Sequence, residues 1–242
     1  MTAPAPGEAI TDAVRAQGFA RLRPAETQAL LGLPAAALAD FAASWQRLEP
    51  DGFMADGGRY RRRRLANFLA IPGEAAHLRG LHRPHFQARA HNSLNGGVDR
   101  WFAPVEDAVV ANPAAEALLG LGRGVADALR PGAAWFVEMH QFRIEAAPGH
   151  PGHPTPEGVH QDGVDCVLIA MLARTNLRGG ETLVTDPTQR ELARFTLDGA
   201  LDLVVLDDRR VLHGVTPVEP VDAAQPSSRD VLVLSWKSLA QA

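Results

Sequence analysis

The sequence predicts an α+β protein with a mainly β core, a sandwich or barrel preceded by packing helices. Three observations lead there. Apolar residues recur at helical spacing through much of the first half, and strand periodicity takes over from Ala134. The strands are short, with Gly, Pro and Asp turns between them. The chain has 242 residues, 46 % of them hydrophobic, which is enough for a sizeable core. Neither an internal repeat nor a linker interrupts it. The expectation is a single domain over 1–242, with a helical part at about 8–130 packed on a β core at about 134–237.

The elements follow in order. Residues 8–17 read as a short helix, with Ile10, Ala13, Val14 and Gln17 at helical spacing and Gly18 as its stop. Phe19 to Leu22 reads as a short strand. Pro24 and Pro34 suit the first turns of helices. After Pro34, the positions Leu38, Phe41, Trp45 and Leu48 make an amphipathic helix that ends before Pro50. Arg59-Tyr60-Arg61-Arg62-Arg63-Arg64 is the densest charge in the chain. In a strand, Arg59, Arg61 and Arg63 face one way and Tyr60, Arg62 and Arg64 the other. The bland reading is a solvated basic face. The sharper one is that one or two arginines, Arg62 among them, reach an anionic substrate group.

His77, His82, His85 and His91 fall at irregular intervals and read as loop or surface residues. Asn95-Gly96-Gly97 is a turn signal. Asn112-Pro113 opens a helix with the stripe Leu118, Leu121, Val125 and Leu129. Gly120, Gly122 and Gly124 lie inside it, but they follow no strand and lack dinucleotide-loop spacing. Trp135 to Ile144 is a strand. One face carries Val137, Met139, Gln141 and Arg143, the other Glu138, His140, Phe142 and Ile144. Its polar groups mark either a wet face or a cavity wall. A Pro/Gly/His-rich loop then delivers the chain to His160. Val164 to Arg174 is a nearly continuous apolar strand, followed by strands at 181–184, 195–197, 201–206, 211–218 and 231–236.

Composition excludes several function classes. Formal charge is −4 and pI about 6.1, so whole-protein electrostatics give no case for nucleic acid. Cys166 is the only cysteine, which forbids an intramolecular disulfide and suits a reducing cytoplasm. No apolar run is long enough for a membrane span, and the N-terminus lacks a signal-peptide pattern.

The chemistry gathers on His160-Gln161-Asp162. In an extended strand these two metal-capable side chains project to one face. His213, after the acidic turn Asp207-Asp208, supplies a second imidazole. Two His and one carboxylate on one metal face suit ferrous iron and leave positions open. The same set suits zinc in a hydrolase. Arg229, further on, can pair bidentately with a carboxylate.

In combination, His160, Asp162, His213 and Arg229 resemble the His-x-Asp…His…Arg pattern of the 2-oxoglutarate/Fe(II)-dependent dioxygenases. Val159-His160-Gln161-Asp162-Gly163, Gly179-Gly180-Glu181-Thr182 and Leu212-His213-Gly214-Val215-Thr216-Pro217 resemble the bacterial branch holding L-isoleucine dioxygenase-type hydroxylases and relatives linked to biofilm and stress phenotypes. The resemblance implies a double-stranded β-helix, or jelly roll, with N-terminal packing helices. It implies Fe(II) on His160, Asp162 and His213, with 2-oxoglutarate as co-substrate and O₂. It places the distal carboxylate of 2-oxoglutarate on Arg229, assisted by Thr182. Gln141 and Arg143 become candidates for the co-substrate or substrate wall, and Asp165 for an amine or for support of a ligand. The implied reaction hydroxylates a small substrate, a free amino acid first, and releases succinate and CO₂. A non-catalytic 2-oxoglutarate- and metal-binding or sensing protein of the same fold and a zinc hydrolase are the alternatives. The expected partner is a small molecule, with no nucleic acid and no membrane, and a homodimer is left open.

Overall fold

The computed structural model describes residues 6–239. Helix α1 (Pro6–Gln17) and strand β1 (Phe19–Leu22) come first, then α2 (Pro24–Leu31) and α3 (Ala35–Ala43). The helix expected to reach Pro50 instead tightens into a 3₁₀ turn over Ser44–Arg47. That turn carries Trp45 inward, where its indole N–H donates to the carbonyls of Phe142 (3.0 Å) and Val231 (3.3 Å). Strands β2 (Glu49–Pro50), β3 (Arg61–Ala70) and β4 (His77–Arg79) follow. Then come α4 (Asp107–Val110) and α5 (Pro113–Leu129), the latter capped by the Asn112 side chain accepting from the Ala114 amide at 2.8 Å.

The second half is all strand: β5 (Trp135–Ala146), β6 (Cys166–Thr175), β7 (Leu177–Gly179), β8 (Glu181–Thr185), β9 (Glu191–Thr196), β10 (Leu203–Asp207), β11 (Leu212–Val215), β12 (Val218–Pro220) and β13 (Ser227–Ser238). An eight-stranded sheet runs β1-β10-β6-β13-β5-β3-β2, with β4 on β3. A three-stranded sheet, β11-β8-β9, and the pair β12-β7 complete a jelly roll. Strands β1 to β4 come from the part expected to be helical. The large sheet is therefore not confined to residues 134–237.

Alternation gives the large sheet two faces with different jobs. Val137, Met139, Leu232, Leu234 and Trp236 pack with α1, α3 and α5 in the main apolar cluster. On the inner face, Val167, Ile169, Met171 and Val231 meet Val184 of the small sheet in a second cluster. The inner face beyond that cluster is not filled, and this is where the site lies.

No helix among the described residues is long and apolar enough to cross a membrane.

Candidate active site

A cavity of about 570 Å³ opens between the inner face of the large sheet and the loops carrying His160 and His85. Register lays out its floor. Arg61 of β3, Ile144 of β5 and Arg229 of β13 form one row, and Arg63, Phe142 and Val231 the next. Leu65, His140 and Val233 follow, then Asn67, Glu138 and Ser235.

His160 and His213 face one another across an antiparallel bridge. Each backbone amide donates to the other's carbonyl at 2.9 Å. Such a pair projects both side chains to one side, and the rings lie 4.8 Å apart. His160 occupies that bridge, but Asp162 sits in the following loop rather than in the expected strand. The carboxylate is nevertheless between the rings, 3.4 Å from His160 Nε2 and 3.7 Å from His213 Nε2. Donor atoms of the three residues all lie within 4.8 Å of one another.

The donor set fits a divalent metal. His160 Nδ1 donates to the Gly158 carbonyl at 3.0 Å, which fixes the tautomer and leaves Nε2 for a metal. Asp162 is aimed from two sides. The Gln87 amide donates to its Oδ1 at 3.2 Å. The Asp208 carboxylate accepts the amides of Asp162 (3.0 Å), Gly163 (2.8 Å) and Val164 (3.1 Å). Gly163 has φ +80°, and a Cβ there would meet the His91 ring at 2.5 Å. Only glycine turns the chain this way so close to His91.

Electrostatics tie the three together. Burial alone would lower the His160 ring, but Asp162 and Glu157 outweigh it and raise it to about 9. Burial would raise Asp162, yet the imidazoles hold it well below the usual carboxylate range. Burial and the His160 charge bring His213 down to about 4. Burial and Asp162 push the Asp208 carboxyl up to about 7, against three amide bonds that favour its anion.

Arg229 lines the cavity and is 3 % exposed, with Nε lacking a partner. Burial and neighbouring Arg174 lower it to about 10. A guanidinium buried beside another guanidinium calls for an anion. Thr182 pairs with Val215, a cavity residue, and its buried hydroxyl has no partner. Thr182 itself does not line the cavity.

Four expected site residues lie elsewhere. Gln141 is on the opposite face of β5, where its amide donates to Ser44 Oγ at 2.8 Å. Arg143 shares that face and pairs with Asp230 at 2.6 Å and Gln46 at 2.9 Å. Asp165 forms ion pairs with Arg130 (2.8 Å) and Arg209 (2.6 Å). Neither N–H is well aimed at the shared Oδ1, so charge attraction rather than directed hydrogen bonding holds that cluster. Arg62 pairs with Glu145 at 2.9 Å on the outer side.

The cavity instead takes the other phase of both strands: Arg61 and Arg63 of β3, Glu138 and His140 of β5. Arg63 lies with its guanidinium 3.7 Å from the Phe102 ring and 4.2 Å from the Phe142 ring. Arg100 and His85 join from the loop. His85, expected on the surface, has Nδ1 2.8 Å from Glu138 Oε2. The legible signal for these residues was the alternation of polar groups in Trp135 to Ile144. Nothing in sequence spacing flags Arg100 or His85.

The 2OG-Fe dioxygenase family model matches residues 42–235. The chain belongs to that family. Fe(II), 2-oxoglutarate and O₂ are the reagents of its members, and the donor set above fits them. A 3(1)-hydroxy-L-isoleucine 4-dioxygenase of Pantoea ananatis is 26 % identical over 162 residues. That match covers 65 % of this chain and spans 65 % of the relative's length. An L-isoleucine-4-hydroxylase of Bacillus thuringiensis is 22 % identical over 197 residues, 79 % of each chain. Among solved structures, a bsmA homolog from Methylobium petroleophilum is 38 % identical and superimposes with a TM-score of 0.89. That superposition covers 100 % of this chain and 98 % of the other.

Proposed function

We propose that this protein is a 2-oxoglutarate-dependent hydroxylase of a small zwitterionic substrate, a free amino acid first. One observation carries the reading: a His160–Asp162–His213 donor set and a buried, under-partnered Arg229 line a single cavity. The amino-acid class is supported by the names of the two isoleucine-hydroxylating relatives. It is also supported by buried charge of both signs in the cavity wall.

Bound ferrous iron, with 2-oxoglutarate and O₂, supplies the oxidising power: one oxygen atom enters the substrate C–H bond and the other enters succinate as CO₂ leaves. The chain's own residues bind and orient. His160, Asp162 and His213 hold the metal, with Gly158, Gln87 and Asp208 fixing two of the three. Arg229 takes the distal carboxylate of 2-oxoglutarate. Phe142, Ile169, Val231 and Val233 keep that end of the cavity apolar, which strengthens the charge contacts inside it. A zinc hydrolase would have no use for Arg229.

The test is turnover with Fe(II), 2-oxoglutarate and all twenty amino acids, started by admitting air and read by mass spectrometry. Succinate in step with a product one oxygen atom heavier is the expected result, with loss of both in His160→Ala. Activity that survives in zinc without O₂ would overturn the reading. Tight 2-oxoglutarate binding with no decarboxylation would favour a sensor.

A further inference from the structure

A second group of metal-capable residues sits in the same cavity. His85, Glu138 and His140 place donor atoms within 4.8 Å of one another. Glu138 Oε2 is 2.8 Å from His85 Nδ1 and 3.5 Å from His140 Nε2. On composition alone it matches the iron site.

Arg63 decides against a metal. Its Nη2 lies 2.7 Å from His140 Nδ1. A guanidinium only donates, so Nδ1 must accept, and the ring proton is on Nε2. That nitrogen then donates toward Glu138 and has no lone pair for a cation. A metal there would also sit one imidazole away from a buried positive charge, which opposes it.

What remains is a buried carboxylate with a free oxygen. The contacts of Glu138 with His85 and His140 fall on Oε2, no described contact falls on Oε1, and the residue lines the cavity. One ring away stands the opposite charge. Arg61, Arg63 and Arg100 are 6 %, 3 % and 2 % exposed, and each keeps an N–H without a partner. Asp51 touches two of them, 2.6 Å from Arg61 and 3.8 Å from Arg63. Glu157 and Glu138 act on Arg100 only through space, so three buried guanidiniums with one acid in ion-pair contact are short of anions. The cavity wall therefore presents a cationic pole and an anionic pole separated by the His140 ring.

We propose that these poles read the substrate's zwitterion: Arg63 and Arg100 take its carboxylate, and Glu138, steadied by His85 and His140, takes its ammonium. This rests on the hydroxylase reading above and adds the residues that select the substrate. Both ends are fixed by buried charges, so the side chain is left to point toward the metal triad. A molecule lacking either charge leaves one pole desolvated and unpaired, which is a severe form of rejection. Glu138 and Arg63 touch none of the three iron ligands among the described contacts.

The experiment measures succinate release with Fe(II), 2-oxoglutarate and O₂. The probes are the twenty L-amino acids, their 2-hydroxy acids and their decarboxylated amines. In the wild type, at least one amino acid is expected to stimulate release about tenfold or more over its hydroxy acid and its amine. In Glu138→Gln, the KM for that amino acid rises and its advantage over the hydroxy acid disappears, while the KM for 2-oxoglutarate holds. In Arg63→Lys, which keeps the charge but loses the fork, the KM for the amino acid rises as well. Equal use of amino acid and hydroxy acid by the wild type overturns the proposal, and this comparison needs no variant to fold. So does stimulation confined to uncharged compounds. Titration with Mn(II) is the second arm: one equivalent, lost in His160→Ala, is expected, and a second equivalent bound by that variant would hand the His85 cluster to a metal. No succinate under any condition would instead defeat the hydroxylase reading, a distinguishable failure.

Discussion

Asp208 is not one of the three ligands, yet it sets where Asp162 points. Its two oxygens collect three consecutive amides from the loop that follows His160. Asp208→Asn turns one acceptor into a donor aimed at donors. Such outer-shell losses weaken metal binding by about 10- to 100-fold. Mn(II) titration should show that drop in Asp208→Asn, with Asp207→Asn near wild type. Among the arginines, adjacent positions should behave very differently. Arg62 makes a half-exposed pair with Glu145, so Arg62→Ala should change the unfolding free energy from urea titration by less than about 1 kcal/mol. Arg63 is sealed between two aromatic rings and bonded to His140. Arg63→Ala should cost about 2–4 kcal/mol in the same measurement, through lost packing and stranded partners. The arginine run was visible in the sequence; the member that matters was not, because neighbours in a strand differ only in which face they take.

Helix α5 shows how an element's sequence can carry opposite demands at one residue type. Gly120 and Gly124 have nothing within 4 Å of a would-be Cβ. Gly122 faces the Trp236 ring, with the nearest carbon 2.0 Å from that position. Alanine is a better helix former than glycine by about 1 kcal/mol. Gly120→Ala and Gly124→Ala should therefore raise the melting temperature. Gly122→Ala should lower it, as overpacking of this kind costs about 1–3 kcal/mol. The start of α5 at Asn112-Pro113 and the stripe through Leu118 and Val125 were legible from local chemistry. The close approach at Gly122 was not, since Trp236 comes from the far end of the chain. Strand β5 teaches the same lesson. Its two faces were separable by alternation, but Gln141 and Arg143 fell on the helix-covered one.

At the scale of the molecule, two imidazoles outside the metal triad, His140 buried and His77 half-buried, make stability depend on acidity. Burial, with Arg123 nearby, lowers His77 to about 4, and burial with Arg63 nearby leaves His140 at about 4. Both lie below the ordinary histidine value of about 6.5. The unfolded chain takes up protons that the fold refuses, so this contribution is complete above about 6.5 and is lost as pH falls toward 4. Raised His160 and Asp208 act in the opposite sense over the same range, so the check is a difference: between about pH 7 and pH 5 the urea midpoint of His77→Gln should lose less, or gain more, than that of the wild type. Ligand should act the other way. Mn(II) with 2-oxoglutarate, each at about 100 times its Kd, should raise wild-type stability by about 2.7 kcal/mol or more and leave His160→Ala near its apo value.

The sequence by itself determined the local elements and the donor types. His160, Asp162, His213 and Arg229 carry their chemistry wherever the chain puts them, and periodicity marks helix or strand without reference to neighbours. The tertiary structure alone decided orientation. Period-two alternation says that β3 and β5 have two faces, but only the helices docked through Trp45 say which face is covered and which is left to the cavity. Long-range pairing also decided that His85 would meet Glu138, and that Arg63 would fix the proton on His140. No spacing in the chain encodes those contacts, because they form only when the loop closes over the sheet.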